Sequence, residues 1–286
     1  MRHGQYGLLP SVMCVLFLCV GVVLGDCRIV AIGDVHGDLE NAQRVLQAAR
    51  VLDANLKWAA GCTTLIQTGD IVDRGPASLA TLDFFRGLRE EASMHGGEVI
   101  MLLGNHELLN FEGATHYVHP EERDKMGGPK KWRALFAAGG AYRAWMEQLD
   151  VVASVNNTVF VHAGILPSFA GLGVAGINRM FHLQVKRGAY GQGVLGDDGP
   201  LWTRDIIHKG IAGECQALDM SLQLLGASRM VIGHTIQSDY KIHTYCGGKL
   251  VAIDVAISRA ISGYRPGCVE LTDDTSVVPI YATTSG

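Results

Sequence analysis

Six short aliphatic runs recur along this chain, and each is closed by a polar cluster, with a glycine in all but the last. They are CRIVAIGD (27–34), TTLIQTGD (63–70), EVIMLLGNHE (98–107), TVFVHAG (158–164), RMVIGHT (229–235) and KLVAID (249–254). Near-continuous apolar runs of this length read as strands buried on both faces. Helical patterns lie between them. Leu39, Ala42, Val45, Leu46, Ala49 and Leu52 fall on one helix face. Pro76 is placed for the first turn of a second helix, followed by Leu79, Leu82, Phe85 and Leu88. A third helix is expected over 131–149, weakened by Gly139 and Gly140. Strands alternating with helices give an α/β layered fold. The polar stretches 111–130 and 182–200 read as irregular surface insertions near the site.

Composition narrows the function classes. With 286 residues, 48% hydrophobic and 18% charged, the chain can bury a large core, and disorder is excluded. A net charge of −4 argues against nucleic acid as a partner, because duplex-binding surfaces carry a basic excess. The 36 glycines suit a fold with many tight loops.

Residues 1–25 read differently. Arg2 and His3 precede an apolar run interrupted by Pro10 and closed by small residues, with Gly25 placed before a cleavage point. This is a signal peptide or an uncleaved membrane anchor, and either delivers residues 26–286, one catalytic domain, to the secretory pathway. The product is lumenal or secreted, or membrane-associated if the segment stays. Beyond the leader, Cys27, Cys62, Cys215, Cys246 and Cys268 form an odd, widely spaced set with no CxxC pair. Neither a cysteine zinc site nor a disulfide framework is expected from it. NNTV places a glycosylation sequon at Asn156.

The polar clusters fall where α/β sheets bind ligands, beyond the strand ends. In order they offer Asp34 and His36, Asp70, Asp73 and Arg74, Asn105 and His106, His162, and His234. If the segment stays extended, Asp34 and His36 point the same way. Carboxylates and imidazoles together suit manganese, iron or zinc. Three histidines, two aspartates and an Asn amide suffice for two ions, with Asp70 placed to bridge. Two ions about 3.5–4 Å apart activate a shared water and bind the oxygens of an in-line phosphoryl displacement. A single Asp-Gly is an ordinary turn and a single buried His an ordinary core residue. Five such clusters, each directly after a strand, are not explained that way. His95, His116, His119, His182, His208 and His243 have no such setting and read as solvated or locally bonded.

GDVHGD, GDIVDRG, GNHE, HAG and GHT, in this order from 33 to 235, resemble the signature of the phosphoprotein phosphatase family of metallophosphoesterases. The resemblance implies a calcineurin-like sandwich of central mixed β-sheets flanked by helices. It implies Asp34, His36 and Asp70 as ligands of one divalent metal, and Asp70, Asn105, His162 and His234 as ligands of another. Arg74 then grips the phosphate oxygens, which Asn105 also meets, His106 protonates the leaving group, and Asp73 orients His106. These roles agree with the chemistry of arginine forks and carboxylate-held imidazoles. GHTIQ, GPLWTRD and IDVAIS are most similar to the Shewanella-like branch, where Arg204 would be a second phosphate-binding arginine. The C-terminal tyrosine motif of the common Ser/Thr enzymes is missing, so their inhibitor sensitivity does not carry over.

The expected activity is hydrolysis of phosphorylated proteins or peptides, with phosphotyrosine favoured by the branch. A nucleotide polyphosphate hydrolase of the dinucleoside tetraphosphatase type is the enzymatic alternative, and a silent metal-binding scaffold the alternative of another class. The first would want an aromatic base pocket and, by resemblance, a lysine in place of Arg74. The second has no need of Arg74, Asp73 or His106. Asp38 stands where the next helix begins and is expected to cap it.

Overall fold

The computed structural model describes Met1, residues 27–272 and residues 276–283. The leader expected at 1–25 therefore lies, from residue 2 on, outside the described residues. No helix among the described residues is long and apolar enough to cross a membrane.

Among the described residues ten strands form two five-stranded sheets. In chain order they are β1 (Ile29–Ile32), β2 (Thr64–Gln67), β3 (Glu98–Met101), β4 (Val152–Val155), β5 (Thr158–Val161), β6 (Arg229–Ile232), β7 (His243–Tyr245), β8 (Leu250–Ala252), β9 (Gly267–Leu271) and β10 (Val277–Tyr281). One sheet runs β10-β9-β1-β2-β3 and the other β4-β5-β6-β8-β7. Within them β1, β2 and β3 are parallel, and so are β5, β6 and β8, while β9, β10, β4 and β7 pair antiparallel. The six parallel strands are the six runs visible in the sequence. Every residue of β1, β5, β6 and β8 is buried, as expected for strands covered on both faces. The flanking helices are α1 (Leu39–Ala48), α2 (Ser78–Met94), α3 (Asn105–Phe111), α4 (Pro120–Lys125), α5 (Pro129–Phe136), α6 (Arg143–Met146), α7 (Pro167–Ala170), α8 (Gly173–Arg187), α9 (Asp205–Ala212) and α10 (Gln216–Leu225).

Local chemistry sets the helix ends. Asp38 caps α1, its carboxylate accepting from the Asn41 N–H at 3.2 Å, and it also binds the Arg259 guanidinium at 3.0 Å. Pro76 is not in the first turn of α2, which begins two residues later at Ser78. The orphan N–H groups of that turn, on Ser78 and Leu79, instead donate to the buried Glu122 carboxylate at 2.9 Å each. Glu122 belongs to α4, so 111–130 is not wholly irregular. Likewise α8 runs on to Arg187, into the stretch expected to be irregular. The single helix expected over 131–149 is two, α5 and α6, broken at Gly139 with φ 78°.

The cysteines correct the sequence reading. Cys27 pairs with Cys62, and Cys215 with Cys246, at Cα separations of 5.3 and 5.6 Å. Strand register explains the first pair. β1 and β2 run in parallel with Ile29 opposite Thr64, so the residues just ahead of both strands, Cys27 and Cys62, are neighbours. Sequence spacing alone hides a register. Cys268 is buried and free. In the chain-entropy model each crosslink, spanning 35 and 31 residues, stabilises by about 3–4 kcal/mol. In unfolded, unreduced protein spanning residues 26–286, alkylation should therefore label Cys268 and spare Cys27, Cys62, Cys215 and Cys246. Cys62→Ser should lower the unfolding free energy by about 2–4 kcal/mol in denaturant titration. Labelling of all five would contradict the pairing.

Candidate metal centre

All six parallel strands deliver a polar residue at their C-terminal ends, and the two sheets bring those ends to one cavity of about 510 Å³. Asp34 and His36 follow β1, Asp70, Asp73 and Arg74 follow β2, and Asn105 and His106 open α3 after β3. His162 follows β5 and His234 follows β6. Asp34, His36, Asp70, Arg74, Asn105, His106, Arg204 and His234 line the cavity. Asp73 and His162 are buried behind it. Every sequence-predicted site residue is thus brought together.

The route differs from the expected strand alternation. β1 ends at Ile32, and His36 has φ 45°, a left-handed turn conformation. Asp70, Asp73, Arg74 and His234 also have positive φ, from 56° to 69°. Such backbone costs about 1–3 kcal/mol per residue and persists only where surrounding contacts enforce it. Two glycines make room. A Cβ on Gly104 would collide with Asp70 Oδ1, and one on Gly233 with Asp34 Oδ1.

Proton placement identifies what the centre can hold. His162 Nδ1 lies 3.1 Å from the Thr68 carbonyl, so that nitrogen carries the proton and Nε2 presents a lone pair. His234 Nε2 lies 3.1 Å from the Trp202 carbonyl, so its Nδ1 presents the lone pair. These two lone pairs face each other at 3.1 Å. Asn105 Oδ1 stands 2.9 Å and Asp70 Oδ1 3.5 Å from the same His162 Nε2. Four acceptors converge with no donor among them. The same holds on the other side of Asp70: His36 Nδ1 donates to the Val72 carbonyl at 3.0 Å, and its Nε2 faces Asp70 Oδ2 at 3.6 Å. A cation satisfies such a set, and the backbone carbonyls fix the tautomers as they do behind metal-ligating histidines. Asp70, with one oxygen toward each group, is the shared member of both clusters of potential ligands, His36-Asp70-His106 and Asp70-His162-His234. The second matches the expected ligand set. The first has His106 where the resemblance implies Asp34, whose oxygens accept from the His234 N–H at 3.1 and 3.2 Å.

Electrostatics agree. Burial, reinforced by neighbouring imidazoles, holds His36 and His162 well below the usual histidine range, and burial with the Arg204 charge takes His234 to about 3. These rings are held neutral. Burial, then the charges of Asp254 and Asp70, push Asp34 well up, and burial carries Asp70 to about 7. The pocket destabilises its own carboxylates until a cation is present.

His106 behaves differently. Its Nδ1 donates to Asp73 Oδ2 at 2.8 Å, and its Nε2 lies 3.2 Å from Arg74 Nη2. Burial alone would lower its pKa, but the Asp70 and Asp73 carboxylates outweigh burial and raise it. Asp73 is itself held by the Asn110 amide at 3.1 Å, and Asn110 by the Trp132 indole at 2.7 Å. Arg204 donates to the His234 carbonyl at 2.9 Å and to Thr235 Oγ1 at 2.7 Å, which engages its Nη1 in fixing the His234 loop. Of the other histidines, His95, His182 and His243 are bonded locally, to Glu91, Asp150 and Asp239.

Glu107 and Asp254 belong to this centre although the sequence reading singles out neither. Glu107 accepts backbone N–H bonds from Asp70 and Gly104 on one oxygen, at 2.8 and 2.7 Å, and from Ile71 and Val72 on the other, at 2.8 and 3.2 Å. Asp254 follows β8, lines the cavity and is raised to about 6, mainly by burial. Its signal is the one that found the others, a carboxylate directly after a buried strand.

The model of the calcineurin-like phosphoesterase family matches residues 27–237. Shewanella-like protein phosphatase 2 of Arabidopsis thaliana is 30% identical over 87% of this chain and 76% of its own. Shewanella-like protein phosphatase 1 of Plasmodium berghei is 30% identical over 81% and 67%. The crystal structure of a cold-active protein-tyrosine phosphatase of a psychrophilic Shewanella species superposes with a TM-score of 0.73 at 26% identity, covering 91% of this chain and 81% of that one.

A metal-free chain makes the linkage measurable. With Asp70 raised to about 7, its support for the metal-free fold is present below the unfolded carboxylate value and lost as pH rises through 7. Protons and cations compete for it. Manganese should raise the thermal midpoint of chelator-treated protein more at pH 8 than at pH 6. Loading should also release protons at pH 6 and few at pH 8. Equal stabilisation at both pH values, with no proton release, would contradict the assignment.

Proposed function

From the premise that this chain belongs to the calcineurin-like phosphoesterase family, as a hydrolase of phosphoesters, we propose that it dephosphorylates phosphorylated proteins or peptides, tyrosine phosphate foremost, using two divalent metals. The observation that carries this reading is the donor-free convergence of His162 Nε2, His234 Nδ1, Asn105 Oδ1 and Asp70 Oδ1 beside a carboxylate-held imidazole and the exposed Arg74 guanidinium. Asp34, His36 and Asp70 would hold one cation, and Asp70, Asn105, His162 and His234 the other. Bound there, manganese, iron or zinc supplies Lewis acidity and activates water for attack on phosphorus.

The rest is this chain's own work. Arg74 turns its guanidinium into the cavity beside His106 and binds phosphate oxygens, with Asn105 and Arg204 alongside. The Asp70 and Asp73 carboxylates raise the His106 pKa and so favour its protonated ring, whose Nε2 would give its proton to the departing oxygen. Asp73, braced by Asn110 and Trp132, keeps the ring aimed. A silent scaffold would need none of this line of support. The nucleotide polyphosphate reading is weaker, since the arginine position is held by Arg74 rather than lysine. The two disulfides support an oxidising compartment and so the secretory reading of the leader.

Leaving-group dependence tests the His106 role. Serine alkoxide needs a proton to depart and p-nitrophenolate does not. His106→Asn should lower kcat for an alkyl phosphate by about 10²–10⁴ and for p-nitrophenyl phosphate by about tenfold or less, with tyrosine phosphate between. Equal losses on all three would show that His106 acts as a metal ligand or a structural element instead.

A further inference from the structure

The cavity has two unlike parts. Its floor is charged, while its rim carries Leu109, Tyr117, Trp202, Ile236 and Ile261. Among these, Tyr117 touches both groups that would handle the phosphoryl and its leaving oxygen. Its ring packs edge-on to His106, with centroids 4.9 Å apart at 61°. The Arg74 guanidinium carbon lies 5.3 Å from the same ring centroid. The Tyr117 carbonyl accepts the Arg74 N–H at 2.8 Å, so the backbone holds this ring in place. Yet 41% of Tyr117 remains exposed. Trp202 packs instead edge-on to His234, with centroids 6.2 Å apart.

Position decides what such a ring meets. A leaving oxygen protonated by His106 must come within hydrogen-bond reach of Nε2. In an aryl phosphate the substrate ring begins one bond beyond that oxygen, and the wall there is Tyr117. A serine or threonine ester offers only a short aliphatic stub at the same place. We propose that Tyr117 determines specificity by packing against the aromatic ring of the leaving group. The inference rests on the phosphatase reading and on His106 as proton donor, and it adds a residue that neither assigns. An offset or edge-to-face aromatic pair is worth up to a factor of about ten beyond area alone.

The test compares wild type, Tyr117→Ala and Tyr117→Phe, all metal-loaded, on one peptide sequence carrying tyrosine phosphate or threonine phosphate. Calorimetric binding of benzylphosphonate and propylphosphonate, which are not hydrolysed, gives a readout independent of turnover. In Tyr117→Ala the tyrosine-to-threonine ratio of kcat/KM should fall about five- to tenfold, mostly through KM, and benzylphosphonate should weaken by a similar factor relative to propylphosphonate. Tyr117→Phe should keep both ratios within about twofold, since the ring and not the hydroxyl makes the contact. Equal losses on both peptides, with an unchanged phosphonate ratio, would reduce Tyr117 to a support for Arg74 and His106 and overturn the proposal. Wild type turning over neither peptide would instead contradict the phosphatase reading, while the phosphonate pair would still decide the ring contact.

Discussion

The carboxylate of Glu107 holds the centre together. It is buried, and four backbone N–H groups point at its two oxygens, from Asp70, Ile71, Val72 and Gly104. These donors come from the turns after β2 and β3, so one side chain ties two strand ends into one rigid corner. Burial raises its pKa, and the four N–H bonds oppose that rise. Leaving even one such donor unpaired costs about 1–3 kcal/mol. That energy is of the size needed to hold Asp70 at φ 56°, the conformation that turns its two oxygens toward two different clusters of imidazoles.

The same logic extends around the cavity. Parallel strands bring all their C-terminal ends to one side, so six short turns share one space. Five of the turn residues with polar side chains adopt left-handed backbone, and each is pinned by a specific contact. Asp70 accepts the His36 N–H on its carbonyl at 2.9 Å, Tyr117 takes the Arg74 N–H, and Arg204 grips the His234 carbonyl. Repulsion among the carboxylates and lone pairs is left uncompensated by the protein. A site stiff enough to resist that repulsion is preorganised for cations.

Much of this was legible in the sequence because buried parallel strands write themselves as apolar runs, and because Asp, Asn and His directly after such runs are hard to explain as turns. Asp34 through His234 could be listed for that reason, and Asp38 as a helix cap. What stayed hidden depends on non-local geometry. Cys27 and Cys62 meet only through the β1–β2 register. Glu107 lies one residue beyond the His that draws attention, and its four donors are invisible without the turns. β4, β7, β9 and β10 are edge or near-edge strands with mixed exposure, so their patterns are weak. Tyr117 sits in a polar stretch whose ordering depends on Glu122 reaching α2.

In the proposed function Asp70 would be shared by two cations held by strand-end ligands. Anomalous diffraction at the manganese edge, from crystals grown with manganese, reads this directly. Two peaks are expected about 3.5–4 Å apart on either side of the Asp70 carboxylate. One should lie by Asp34 and His36, the other among Asn105, His162 and His234. A single peak, or two peaks that leave Asp70 uncoordinated, would contradict it.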